Sequence, residues 1–149
     1  MIIKSLPKEE LVQHGVDPNF ADVLSEPNKY DSSLHITIGK SDWDYAIPET
    51  VTSVVPLWGA NADSFVRWER DGVTEFVWLF HDSSEYSLIT YSEQVIMAKL
   101  YQSLTEFMEE DDCHRIGSAM GFKYIEMADN ILEDDWDGYE NWILNLEKA

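Results

Sequence analysis

Two runs rich in apolar residues, Ser64 to Glu69 and Val73 to Phe80, flank Arg70-Asp71-Gly72, and this pattern constrains the fold more than any other in the chain. Glycine accepts the positive φ of a tight turn, so Asp-Gly between apolar runs predicts a β-hairpin. The second run, Val73-Thr-Glu-Phe-Val-Trp-Leu-Phe80, is apolar on both sides from Phe76 onward. Its end is therefore expected to be central and covered on each face. Upstream, Val51-Thr-Ser-Val-Val-Pro-Leu-Trp58 is rich in β-branched residues, and Pro56 points to an edge position or a bulge because it cannot donate to a ladder. Ser87 to Tyr91 supplies a further short strand after the polar turn Asp82-Ser83-Ser84-Glu85. Ser33 to Gly39 alternates Leu34, Ile36 and Ile38 with His35 and Thr37, which predicts one more half-buried strand.

Helical spacing dominates the two ends. Pro7 followed by Glu9 and Glu10 suits the start of a short helix, which Gly15 and Pro18 interrupt. Asn19 to Leu24 carries Phe20, Val23 and Leu24 as a second short helix. Ser92 is a candidate N-cap for a longer one, with Ile96, Leu100, Leu104 and Phe107/Met108 on one stripe. The run Glu109-Glu110-Asp111-Asp112 would oppose the dipole at a helix C-terminus, so that helix is expected to stop there. Phe122, Ile125 and Leu132 mark another helix, and Asp134 or Asp135 caps a last one bearing Trp136, Tyr139, Ile143 and Leu146. The whole reads as one α+β domain over residues 1–149, a largely antiparallel sheet with an N-terminal helical segment and C-terminal helices packed on it.

Charge sets the surface. The chain holds 29 acidic residues against 10 basic ones, a net charge of -19, on a sequence that is 44% hydrophobic with 6 tryptophans. That apolar content excludes a disordered acidic tail. The field repels nucleic acid and anionic membranes and steers the protein toward basic surfaces. Solubility alone is the competing explanation. No stretch approaches the roughly 18 apolar residues of a membrane span. The apolar start of the chain is too short for a signal-peptide core, and the 1 cysteine, Cys113, cannot form an internal disulfide. A cytoplasmic location is the expectation.

Catalytic and cofactor motifs are missing from the sequence. Gly117 and Gly121 lack the Gly-Lys-Ser/Thr of a phosphate loop, and there is no Gly-x-Ser-x-Gly elbow. Cys113 and His114 are adjacent and diverge by about 100° on a helix, so they do not form a nucleophile–base pair. Neither His81-Asp82 with Glu85 nor Asp111-Asp112 with His114 has recurrent metal-ligand spacing, and Asp129 to Glu140 lacks the glycine of a calcium loop. The expectation is no catalytic residue, no metal and no cofactor. Trp58, Trp68, Trp78, Trp136 and Trp142 fall in predicted elements and are expected to fill the core. Trp43 sits among polar residues and is a candidate protein-binding anchor, with sheet-edge packing as the alternative. Glu109, Glu110, Asp111 and Asp112, and then Asp134, Asp135 and Asp137, are the candidate partner-binding carboxylates, with a solvated face as the alternative.

From Ile47 to Phe107 the order of parts resembles the SUKH superfamily, which includes many toxin-immunity proteins. Ile47-Pro48 leads to Val54-Val55-Pro56-Leu57-Trp58-Gly59, then a polar turn with Asn61 and Asp63. The Asp71-Gly72 hairpin, the strand ending Trp78-Leu79-Phe80-His81-Asp82 and a helix ending Leu104-Thr-Glu-Phe107 follow. The resemblance implies an α+β domain without catalytic residues that binds another protein, often a toxin such as a nuclease, inside the producing cell. No site residue is carried over. Two other readings remain open: a metal-dependent hydrolase built from His81, Asp82 and distant carboxylates, and a regulatory scaffold domain.

Overall fold

The computed structural model describes residues 1–146. In chain order the elements are β1 (Ile2–Lys4), α1 (Lys8–Gln13), α2 (Pro18–Ser25), β2 (Asp42–Asp44), β3 (Val51–Ala60), β4 (Asp63–Arg70), β5 (Val73–Leu79) and β6 (Tyr86–Thr90). Then come α3 (Glu93–Phe107), α4 (Glu110–Ala119), α5 (Ile125–Asp134) and α6 (Tyr139–Asn145). The four strands β3-β4-β5-β6 form an antiparallel meander, and β1 pairs with β2 in a separate two-stranded sheet. This is the α+β architecture the sequence predicts.

The hairpin closes as its turn chemistry requires. Asp71 and Gly72 both have positive φ, 55° and 77°, and Arg70 pairs with Val73 across the turn. On β5 the side chains divide between two cores. Phe76 and Trp78 face the larger cluster under the helices, whereas Val77 and Leu79 join a smaller one with Ile3, Tyr45, Val66 and Trp68. Period-two alternation explains why this strand is apolar on both sides. Pro56 lies on the edge strand β3, and the register slips between Pro56 and Trp58. That bulge turns both Leu57 and Trp58 toward the helical core.

Two expectations are corrected. Ser33 to Gly39 is not a strand: Leu34–Ile36 is a 3₁₀ turn, and only Gly39 makes an isolated antiparallel bridge, to Gly59. Leu34 and Ile38 are buried while Ile36 is 70% exposed. Spacing of four is shared by a helical turn and an alternating strand, and here the Asp31–Ser33 turn decides. Its Asp31 carboxylate accepts hydrogen bonds from the Ser33 backbone N–H and hydroxyl at 2.9 and 2.7 Å. Trp136 is not a core residue either, since it lies outside α6 and is 42% exposed. Trp58 and Trp68 are buried as expected.

Within the N-terminal third, α1, α2 and the 34–38 segment pack on the helical side of the sheet, while Ile3 and Tyr45 join the smaller core. Asp17 caps α2 by accepting from the Asn19 and Phe20 N–H groups at 2.9 and 3.3 Å, and Phe20, Ala21, Val23 and Leu24 are buried. Asp22 ties this region together. It accepts from the Tyr30 hydroxyl, from Lys29 Nζ at 2.9 Å and pairs with Lys8 at 3.4 Å. The Tyr30 and Lys29 hydrogen bonds hold its carboxyl down at about 2. A depressed carboxylate contributes stability above its unfolded pKa, near 4, and loses it as pH falls through the native value. Asp22→Asn is therefore expected to cost about 1–2 kcal/mol at pH 7, allowing for the exposure of its lysine partners. Urea titrations from pH 7 to pH 2 should show the difference between variant and wild type shrink to a small fraction at the acid end. A difference that did not change with pH would refute this origin.

Candidate functional site

The acidic run 109–112 does not terminate a helix that continues into it. Met108 and Glu109 are extended (φ -130° and -66°, ψ 155° and 153°), and α4 starts immediately afterwards. Glu110, Asp111 and Asp112 thus occupy the first turn of a new helix, where the dipole favours them. The helix expected to stop at this run does stop there, α3 ending at Phe107, and the structure adds that α4 begins with the run itself. The helix is easily missed because its core contact is narrow: Cys113, Ile116 and Gly117 are its buried residues. The second cluster lies at the end of α5, where Glu133 and Asp134 are the last helical residues and Asp135 is the C-cap. Asp135 Oδ1 accepts from the Gly138 N–H at 3.0 Å and closes the turn into α6. Asp134 and Asp137 are exposed.

Chain reversal at Met108 brings Glu109, Glu110 and Asp112 of the first cluster to one groove with Glu133 of the second, whereas Asp111, Asp134, Asp135 and Asp137 line neither of its depressions. A depression of about 410 Å³ is bounded by Thr105 and Met108 from the end of α3, Glu110 and Cys113 from α4, and Asp129, Leu132, Glu133 and Trp136 from α5 and its exit. A second, of about 440 Å³, adjoins it through Met108 and Glu110 and is lined by Asp31, Glu106, Glu109 and Asp112. Phe107 borders this second depression and is 68% exposed. The result is a carboxylate-rich groove with an aromatic side chain, Phe107 or Trp136, at each depression. Asp112 is partly compensated by Arg115, whose Nη2 donates to it at 3.0 Å. The other Arg115 nitrogen donates to the Tyr30 carbonyl at 2.5 Å and anchors α4 to the N-terminal region.

Not every predicted residue reaches this groove. Trp43 lies on β2, opposite Ile3 of β1, and Ile3 packs in the smaller core on the far face of the four-stranded sheet. It is 46% exposed, and its ring meets His81 edge-on at 5.8 Å. His81 is engaged by Asp63, whose Oδ1 accepts from its backbone N–H at 3.0 Å and from Nδ1 at 2.6 Å. Trp78 Nε1 donates to the other Asp63 oxygen at 3.2 Å. Burial works to raise the Asp63 carboxyl, but these donors outweigh it and the net direction is down. The same hydrogen bond raises the His81 imidazole. His81 thus locks the end of β5 to the start of β4, and its bonded carboxylate is Asp63 rather than Asp82 or Glu85.

Cys113 is buried, and its thiol donates to the Met108 carbonyl at 3.7 Å. Burial, reinforced by the charges of Asp129 and Asp112, pushes the thiol up to about 11. A thiol held there is not a nucleophile at neutral pH.

Chain order groups His114 with Asp111 and Asp112, but the fold places its side chain elsewhere. Its Nε2 is hydrogen-bonded to Asp129 Oδ2 and lies 3.7 Å from Glu110 Oε1. Asp129 comes from the facing helix α5, fifteen positions along the chain. The i,i+4 relation of Glu110 and His114 is the one legible trace of this trio.

No family model matches the chain, and neither curated proteins nor solved structures show a significant similarity to it.

Proposed function

We propose that this chain is a non-catalytic protein-binding domain of the immunity type, which neutralises a basic toxin inside the cell that makes it. The observation that carries the reading is a groove that gathers Glu109, Glu110, Asp112 and Glu133 and is bordered by exposed Phe107 and Trp136. Carboxylates at a rim raise association rates and reject wrong partners, whereas aromatic side chains set in pockets supply most of the affinity. A net charge of -19 makes a basic partner the complementary one and nucleic acid an unfavourable one. The succession β3-β4-β5-β6-α3 follows the order of parts on which the SUKH resemblance rests. Nuclease toxins, which carry basic substrate-binding faces, fit this surface best.

The test begins with affinity capture from the chain's own cell type, followed by kinetics on the captured partner. The partner is expected to have a basic face and to arrest growth when expressed alone, and co-expression of this chain should restore growth. Replacing Glu109, Glu110, Asp111 and Asp112 by their amides should slow association about tenfold or more at low salt while leaving the fold intact. Phe107→Ala or Trp136→Ala should weaken binding by about 2 kcal/mol, chiefly through faster dissociation. Replacing Asp134, Asp135 and Asp137 by Asn should also preserve folding, because the amide oxygen introduced by Asp135→Asn still accepts from the Gly138 N–H. A partner without basic surface, or association indifferent to salt, would defeat the proposal.

A further inference from the structure

Between α4 and α5 the fold assembles one imidazole and two carboxylates that no consecutive stretch of sequence contains. We propose that Glu110, His114 and Asp129 bind a divalent transition ion of the zinc class, with the remaining coordination positions open to solvent. The single ligand atoms each residue offers all lie within 4.8 Å of one another. Tetrahedral zinc with bonds of about 2.1 Å holds its ligand atoms roughly 3.4 Å apart. The separation of 3.7 Å between His114 Nε2 and Glu110 Oε1 already approaches that value.

Helix geometry supplies the aim. Glu110 and His114 are one turn apart on α4 and project toward the same side, and Asp129 meets them from α5. Asp129 is itself fixed from behind: the hydroxyl of Tyr101, a fully buried residue of α3, donates to its Oδ1 at 2.7 Å. That bond orients the carboxylate and leaves Oδ2, now hydrogen-bonded to His114 Nε2, to exchange that bond for the ion as the imidazole nitrogen gives up its proton, with the outer-shell hydroxyl tuning the ligand. Glu126 and Glu133 line the same depression, so the local field concentrates cations there.

The imidazole decides the class of ion. Calcium and magnesium take oxygen ligands, whereas imidazole suits zinc, nickel and copper. An ion drawn merely to an acidic surface would have no need of His114. This separates the site from the many carboxylates of the chain, and it holds whatever partner docks in the groove.

Isothermal titration with Zn²⁺ alone, on the full chain, tests it. One site per chain is expected, with a rise in Tm of about 5 °C or more at a hundredfold excess over Kd. Mg²⁺ and Ca²⁺ at the same concentrations should give none. His114→Gln and Glu110→Gln should each lower Zn²⁺ affinity, by about 100-fold for the histidine. Tyr101→Phe should lower it about tenfold without abolishing it, since that hydroxyl only positions Asp129. Glu110 and His114 are 78% and 40% exposed at the side chain, so both variants should keep the wild-type circular dichroism. Should His114→Gln unfold, Glu110→Gln decides. No Zn²⁺ binding, binding unchanged in the folded variants, or an equal response to Ca²⁺ would overturn the proposal.

Discussion

Trp68→Ala is expected to lower the unfolding free energy by about 3–5 kcal/mol, the range for deleting a large aromatic side chain from a core. Trp68 is fully buried on β4, in the smaller core with Ile3, Tyr45, Val66, Val77 and Leu79. Its ring meets Tyr86 of β6 at 5.0 Å and 70°, so one side chain bridges strands on either side of β5. Beyond the cavity, the substitution removes a donor from a buried carboxylate. Trp68 Nε1 donates to Glu75 Oε1 at 2.9 Å, and Glu75 is 4% exposed. Arg70 supplies the compensating charge from 3.1 Å and also donates to the Tyr86 hydroxyl at 2.7 Å. Trp68→Phe separates the two contributions. It keeps most of the ring and loses the donor, so it should cost about 1–2 kcal/mol while Arg70 still holds Glu75. Guanidinium midpoints at constant m would measure both. Against a total stability of about 5–15 kcal/mol, the alanine variant should be close to unfolding at 37 °C. A loss below about 1 kcal/mol would mean that the second face of the sheet is not a packed core.

Which parts are legible in the sequence follows from how local their causes are. The 70–73 turn is readable because Asp71 and Gly72 themselves adopt the backbone conformation that defines it. The double-faced character of β5 is readable because strand period and burial coincide residue by residue over Phe76 to Leu79. The 34–38 segment defeats such a reading because one spacing serves two structures, and a side-chain turn at Asp31 chooses between them. α4 is hidden because the break at Met108 is a matter of backbone path, with neither glycine nor proline to announce it. Once that break is in place, Glu109–Asp112 changes from the end of one helix to the beginning of another. The candidate site shares this property. Glu110, His114 and Asp129 meet only because α4 and α5 face each other, and the contact of Asp129 with buried Tyr101 brings in a third helix, α3. Both acidic clusters are visible as composition, yet the meeting of Glu109, Glu110 and Asp112 with Glu133 at one groove is a consequence of the fold.

Gly59→Ala is expected to cost about 3 kcal/mol or more, at the upper end of overpacking penalties, because the group it meets is backbone. A Cβ on Gly59 would stand 2.9 Å from the Lys40 carbonyl carbon and closer still to its oxygen. A side chain could rotate away from such a contact, but the 39–41 segment is held in place. Gly39 and Gly59 exchange hydrogen bonds of 3.0 and 2.8 Å, and a Cβ on Gly39 would in turn lie 2.7 Å from the Gly59 oxygen. Ser41, next along, is buried and accepts from Ser64 at 2.9 Å, while its N–H donates to the Ser5 hydroxyl at 2.7 Å. Relief of the clash must therefore peel residues 39–41 away from β3 and uncover the outer edge of the sheet. Unpaired strand edges recruit other chains, so the variant should also aggregate at concentrations the wild type tolerates. Gly72→Ala is the informative comparison. Its Cβ would meet nothing within 4 Å, and its φ of 77° is the sole obstacle, so a loss near 1 kcal/mol is expected. If thermal unfolding showed the two variants equally destabilised, the cost at Gly59 would come from its place in a strand and not from the close approach of Lys40.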